Sequence, residues 1–84
     1  MYDYITITHK DGRIVNYHFS FSDYNRSFTV YVPDVVLIRV YKFHDHRYDL
    51  RCFFYDKKYI YYRESIRSKK ELHNIVKNLL KENL

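Results

Sequence analysis

At 84 residues and 10.6 kDa, with 46% hydrophobic and 20% aromatic residues, the chain is a single globular domain and not a disordered segment. A single cysteine excludes an intramolecular disulfide framework and a multi-cysteine zinc site. A net charge of +5 and a pI near 9.3 favour anionic partners such as nucleic acid, an acidic protein or a nucleoprotein complex, and argue against a DNA mimic.

The first predicted strand runs from Met1 to Thr8, with Ile5 and Ile7 on one face and Tyr2, Tyr4, Thr6 and Thr8 on the other. Lys10-Asp11-Gly12-Arg13 predicts a hairpin turn, because Asp-Gly supplies the positive φ angles of a type I′ turn. Ile14 to Phe19 returns, with Val15, Tyr17 and Phe19 alternating against Asn16 and His18. Ser20 to Ser27 is polar and reads as a surface loop anchored by Phe21 and Tyr24. Phe28 to Val32 alternates again and ends at Pro33, which cannot donate to a ladder. Val35 to Tyr41 is apolar on both faces, as a strand covered on each side requires.

His44-Asp45-His46-Arg47 is the next turn. It leads into Tyr48 to Arg63, read as two strands folded at Asp56-Lys57-Lys58, with rings on both faces and cations between them. Beyond Arg63 the period changes. Ser68-Lys69-Lys70-Glu71 fits a capping box, in which serine caps the backbone and Glu71 reaches back. Leu72, Ile75, Val76, Leu79 and Leu80 then form one helical stripe opposite Lys70, Asn74, Lys77 and Lys81, so a helix is expected from about Lys69 to Glu82.

The order β-β-β-β-β-β-α predicts one α+β domain over residues 1–84: an antiparallel five- to six-stranded sheet, open or curled, over 1–64, packed against one C-terminal helix within 68–83. A helix of four turns covers only part of one sheet face. The other face is left to stay exposed, to curl into a small barrel or to meet another subunit. No apolar run approaches the ~20 residues that cross a bilayer, and no basic-then-apolar leader opens the chain, so a soluble, cytoplasmic protein is expected.

Alternation assigns Ile5, Ile7, Val15, Tyr17, Phe19, Phe28, Val30, Val36, Ile38, Val40, Leu50, Cys52, Phe54, Ile60 and Tyr62 to the core. It leaves Tyr2, Tyr4, His18, Tyr31, Arg39, Tyr41, Arg51, Phe53, Tyr59, Tyr61 and Arg63 on the other face. Rings beside guanidinium groups suit base stacking, and Tyr and Arg are equally the favoured anchors of protein interfaces. The bland reading is that tyrosine forms strands well while keeping its hydroxyl wet. The candidate binding set is Arg39, Tyr41, Arg51, Phe53, Tyr59, Tyr61 and Arg63, joined by a cationic corner of Arg63, Arg67, Lys69 and Lys70.

His44-x-His46 with Asp45 and Asp49 is the only local cluster of metal-ligand types, but no third or fourth ligand is evident, so no metal and no cofactor are assigned. No phosphate loop, nucleophile elbow or spaced carboxylate pair is present, and a non-catalytic protein is expected. A small ribonuclease would draw on His18, His46, Arg51 and Tyr61. The absence of Ala, Gln and Trp, beside many Lys, Ile, Asn, Tyr and Phe, matches AT-rich codons and a low-GC bacterium or its phage. In size, make-up and lack of a catalytic signature the chain resembles small phage or mobile-element inhibitors of host machinery, anti-CRISPR proteins included. That resemblance implies steric blockade of a larger protein or nucleoprotein partner. Direct single-stranded nucleic-acid binding and an edge-paired homodimer are the alternatives.

Overall fold

The computed structural model describes residues 4–18 and 26–84. The expectations for Tyr2, Phe19, Phe21 and Tyr24 lie outside the described residues. Among the described residues six strands precede one helix: β1 (Tyr4–Thr8), β2 (Ile14–His18), β3 (Ser27–Val32), β4 (Val36–Lys42), β5 (Tyr48–Phe54), β6 (Tyr59–Ile66) and α1 (Lys69–Asn83). The architecture is α+β, with antiparallel pairing throughout.

The expected five- to six-stranded sheet is instead two sheets. β1 pairs with β2, and β3-β4-β5-β6 form an open four-stranded sheet with β3 and β6 at its edges. The physical reason is coverage. One helix leaves part of the larger sheet's apolar face bare, and the β1–β2 hairpin brings Ile5 and Ile7 into the same core. Phe28, Val30, Val36, Ile38, Val40, Leu50, Cys52 and Phe54 supply the sheet side of that core, and Leu72, Val76, Leu79 and Leu80 the helix side. Each such side chain contributes about 1.5–3 kcal/mol on full burial. α1 lies against β1, β4 and β6, and the His73 ring is 3.0 Å from the carbonyl oxygen of Tyr4.

Turn chemistry explains the hairpins, with one correction. The first turn is not type I′, which needs two residues at positive φ. Gly12 alone in that loop is left-handed, at φ 86°. Gly12 N donates to His9 O at 2.9 Å, and His9 N to Arg13 O at 2.8 Å. This is a three-residue loop closed by a glycine bulge. The β4–β5 loop repeats it: His46 N donates to Phe43 O, Phe43 N to Arg47 O, and His46 takes the left-handed place at φ 62°. His44 and His46 are therefore loop positions one and three. Among the described residues no group of three or more His, Cys, Asp or Glu is placed to hold a metal.

Ser68 caps α1 as expected, its Oγ accepting from Glu71 N at 3.1 Å. The Glu71 carboxylate does not complete the box. It accepts from Arg63 Nη2 at 3.1 Å, tying the helix to β6. No helix among the described residues is long and apolar enough to cross a membrane.

Candidate functional site

No described element covers the face of the four-stranded sheet turned away from α1, the open face, and strand register sets its contents. Tyr31, Leu37, Phe53 and Ile60 lie side by side across all four strands. The next row is Thr29, Arg39, Arg51 and Tyr62, and the third holds Ser27, Tyr41 and Asp49. An apolar row thus borders a cationic one, which borders a polar one. Phe53 meets Tyr55 edge-on at 4.9 Å, and Tyr55 reaches Tyr31 at 6.3 Å, so the apolar row is capped by a ring cluster.

Arg39 and Arg51 stand directly opposite each other on β4 and β5. Their Cβ atoms are then about 4.5–5.5 Å apart, and like charges so placed destabilise a sheet. The ion pairs among the described residues join Arg13 to Asp11, Arg47 to Asp45 and Arg63 to Glu71, and none involves Arg39 or Arg51. Each guanidinium leans instead on a ring: Arg39 lies 6.0 Å from the Tyr41 centroid and Arg51 5.6 Å from that of Tyr62. Cation–π contact of this kind orients a cation without neutralising it.

Two shallow depressions share this ground. One of about 270 Å³ is lined by Leu37, Arg39, Tyr41, Arg51, Phe53 and Ile60. Another of about 230 Å³ is lined by Tyr41, Phe43, Asp49, Arg51 and Tyr62. Tyr62 donates to Glu64 Oε2 at 3.3 Å. Desolvation raises its phenol pKa most, followed by the charges of Asp49 and Glu64, with Arg51 acting in the opposite direction. Tyr55 is likewise raised, by desolvation and then by Tyr31 and Asp34. Both phenols therefore stay protonated donors at neutral pH.

No family model, curated protein or solved structure matches this chain.

Of the candidate residues, Arg39, Tyr41, Arg51 and Phe53 come together on the open face. Tyr59, Tyr61 and Arg63 do not. They pair with Phe54, Cys52 and Leu50, so they share the helix side of the sheet. Tyr59 stacks on Phe54 at 6.2 Å, and Tyr61 packs against the core. Conversely Ile60 and Tyr62, assigned to the core from alternation, are 61% and 49% exposed on the open face. The cause is a one-residue shift of register, which flips every side chain of a strand. Arg67 and Lys70 are exposed beside the helix start, away from this cluster, and Lys69 is half-buried. Alternation also missed Leu37 as part of the face, because a strand apolar on both sides carries no sign of which side is covered.

The ribonuclease suspects do not converge. Arg51 and Tyr61 occupy opposite faces of one sheet, His18 stands beside Tyr4 on the small hairpin, and His46 sits in the β4–β5 loop. What the open face offers chemically is an apolar strip, two guanidinium groups that no described carboxylate pairs with, and phenol donors.

Proposed function

We propose that the chain is a non-catalytic binding protein that docks through its open sheet face onto a larger protein or nucleoprotein partner and acts by steric blockade. The observation that carries this reading is the Arg39–Arg51 pair. Two like charges held opposite each other, with no described carboxylate in an ion pair with either, oppose folding. Such local conflicts are expected where a surface serves a ligand. The Leu37–Phe53–Ile60 strip supplies an apolar centre, and Tyr and Arg supply the anchor types that dominate interface energetics. Blockade of this kind is how small phage and mobile-element inhibitors act, the group that the size and composition resemble.

A protein surface is favoured over single-stranded nucleic acid. Leu37 and Ile60 offer no ring for a base to stack on, whereas nucleic-acid platforms rely on stacking and a continuous positive groove. Asp49 and Glu64 place negative charge at one margin of the face, where a phosphate backbone would be repelled.

The test is affinity capture from the native host with the wild-type chain, Arg51→Ala, Phe53→Ala and, as a control on the opposite face, Tyr61→Ala. Nuclease treatment of the lysate separates the two classes. The proposal expects a defined partner that survives nuclease, is kept by Tyr61→Ala and is lost by at least tenfold with the open-face variants. Equal recovery by all four chains overturns it. So does direct binding of single-stranded oligonucleotides with a steep salt dependence.

A further inference from the structure

β6 is the edge of the four-stranded sheet, and its outer rim is not paired by any described strand. Edges left bare in this way are commonly short, charged, bulged or broken by proline. β6 has eight residues and no proline, and its only irregularity lies near its end, where Ser65 is left-handed at φ 59°. Before that bulge the segment Tyr59 to Arg63 is regular. Tyr59 projects on the helix side, Ile60 and Tyr62 on the open side, and their exposures are 56%, 61% and 49%.

We infer that β6 pairs antiparallel with β6 of a second copy of this chain, about a two-fold axis at Tyr61. In that register Tyr61 faces its own copy and Ile60 faces Tyr62, an apolar side chain against a ring. Tyr59 faces Arg63, a ring against a cation, and the ladder ends there, because Lys58 lies in the turn before β6 at φ 48°. Every opposed pair is of a kind that stabilises a sheet. Neighbouring registers are worse. An axis at Tyr62 sets Ile60 against Glu64 and draws the bulged Ser65 into the ladder against Tyr59. An axis at Ile60 keeps only Tyr59 to Tyr61 in the ladder, since Lys57 and Lys58 belong to the turn.

A second feature fits the same register. On the helix side, β6 and α1 enclose a groove of about 340 Å³ lined by Tyr61, Arg63, Ile75, Asn78, Leu79 and Glu82. The second copy's Tyr59, standing opposite Arg63, brings its ring to this groove, with Ile75 and Leu79 as the apolar wall. The paired sheets form one eight-stranded layer in which the two open faces lie side by side. This inference stands apart from the binding role of that face.

Sedimentation equilibrium of the full chain over a wide concentration range provides the test. The expected result is a concentration-dependent dimer. Ile60→Lys and Tyr62→Glu each raise its dissociation constant about tenfold, because the symmetric contact is lost twice. The double variant restores it. Tyr61→Cys cross-links to its own copy under mild oxidation and Ile60→Cys does not, while the buried Cys52 stays unreacted. A monomer at every concentration overturns the inference. So does a dimer indifferent to both single substitutions, or one cross-linked through position 60 and not 61.

Discussion

The two three-residue loops allow a sharp test of how backbone conformation sets this fold's stability. Lys10-Asp11-Gly12 and His44-Asp45-His46 close with the same pair of hydrogen bonds, and in each the middle aspartate pairs with the arginine that follows, at 3.9 and 3.8 Å. They differ at the left-handed position, held by glycine in one and by His46 in the other. A residue with a Cβ costs about 1–2 kcal/mol in that region. Glycine returns about 0.4–1 kcal/mol of this through the greater freedom of the unfolded chain. The His46 side chain is exposed, so removing it forfeits no core contact. His46→Gly is therefore expected to stabilise the protein by about 0.5–1 kcal/mol, which in a domain of this size raises Tm by about 3–6 °C. Thermal unfolding followed by circular dichroism measures this, with His46→Ala as the control that removes the ring but keeps the Cβ. A lower Tm for His46→Gly refutes the reasoning. So does an equal gain for His46→Ala, which would trace the effect to the imidazole and not to the backbone. The mirror variant, Gly12→Ala, meets no atom within 4 Å of its new Cβ, so any loss it shows is conformational.

Two further outcomes follow from buried and capping groups. Burial pushes the Cys52 thiol up from 9.0 to about 12. The folded state thus keeps its proton while the unfolded chain loses it, and the contribution is whole below pH 9 and lost as pH rises toward 12, by about 1.4 kcal/mol per unit. Urea melts of wild type and Cys52→Val are expected to move apart above pH 9, with the wild type falling faster, and parallel curves would count against this. At the helix start, Ser68→Ala is expected to cost about 1 kcal/mol through the lost cap. Glu71→Gln, which breaks only an exposed ion pair with Arg63, is expected to cost less than about 0.5 kcal/mol, and the reverse ranking in urea melts would overturn this assignment of the two roles.

Much of this fold was legible in the residues, and the reasons are local. The capping serine and the stripe from Leu72 to Leu80 place α1 within a residue of its bounds, because both signals act within the segment itself. Alternation finds β3 and the apolar β4 for the same reason. The split into two sheets was not legible, since an isolated hairpin such as β1–β2 reads the same whether it extends a sheet or lies across one.

Register on β6 shows a second kind of limit. Reading the turn as Asp56-Lys57-Lys58 sets Phe54 opposite Ile60. The loop holds four residues, from Tyr55 to Lys58, and sets Phe54 opposite Tyr59. That single residue moves Tyr59, Tyr61 and Arg63 to the helix side and brings Ile60 and Tyr62 to the open face. Tyr59-Ile60-Tyr61-Tyr62 is apolar or aromatic at every position, so its own pattern could not choose between the two registers. A strand whose register is fixed by burial needs contrast between its faces. β6 regains that contrast only at Ile66, which is 1% exposed. To reach the core, Ile66 must pair with Tyr48, whereas Arg63 pairs with Leu50, and the extra residue is taken up between them, where Ser65 turns left-handed and its N–H donates to Asp49 Oδ1 at 3.1 Å. The bulge thus reconciles two demands: a buried Ile66 at one end of the strand and a four-residue loop at the other. Its consequence is the composition of the open face, where Ile60 and Tyr62, and not Tyr59 and Tyr61, stand beside Phe53 and Arg51.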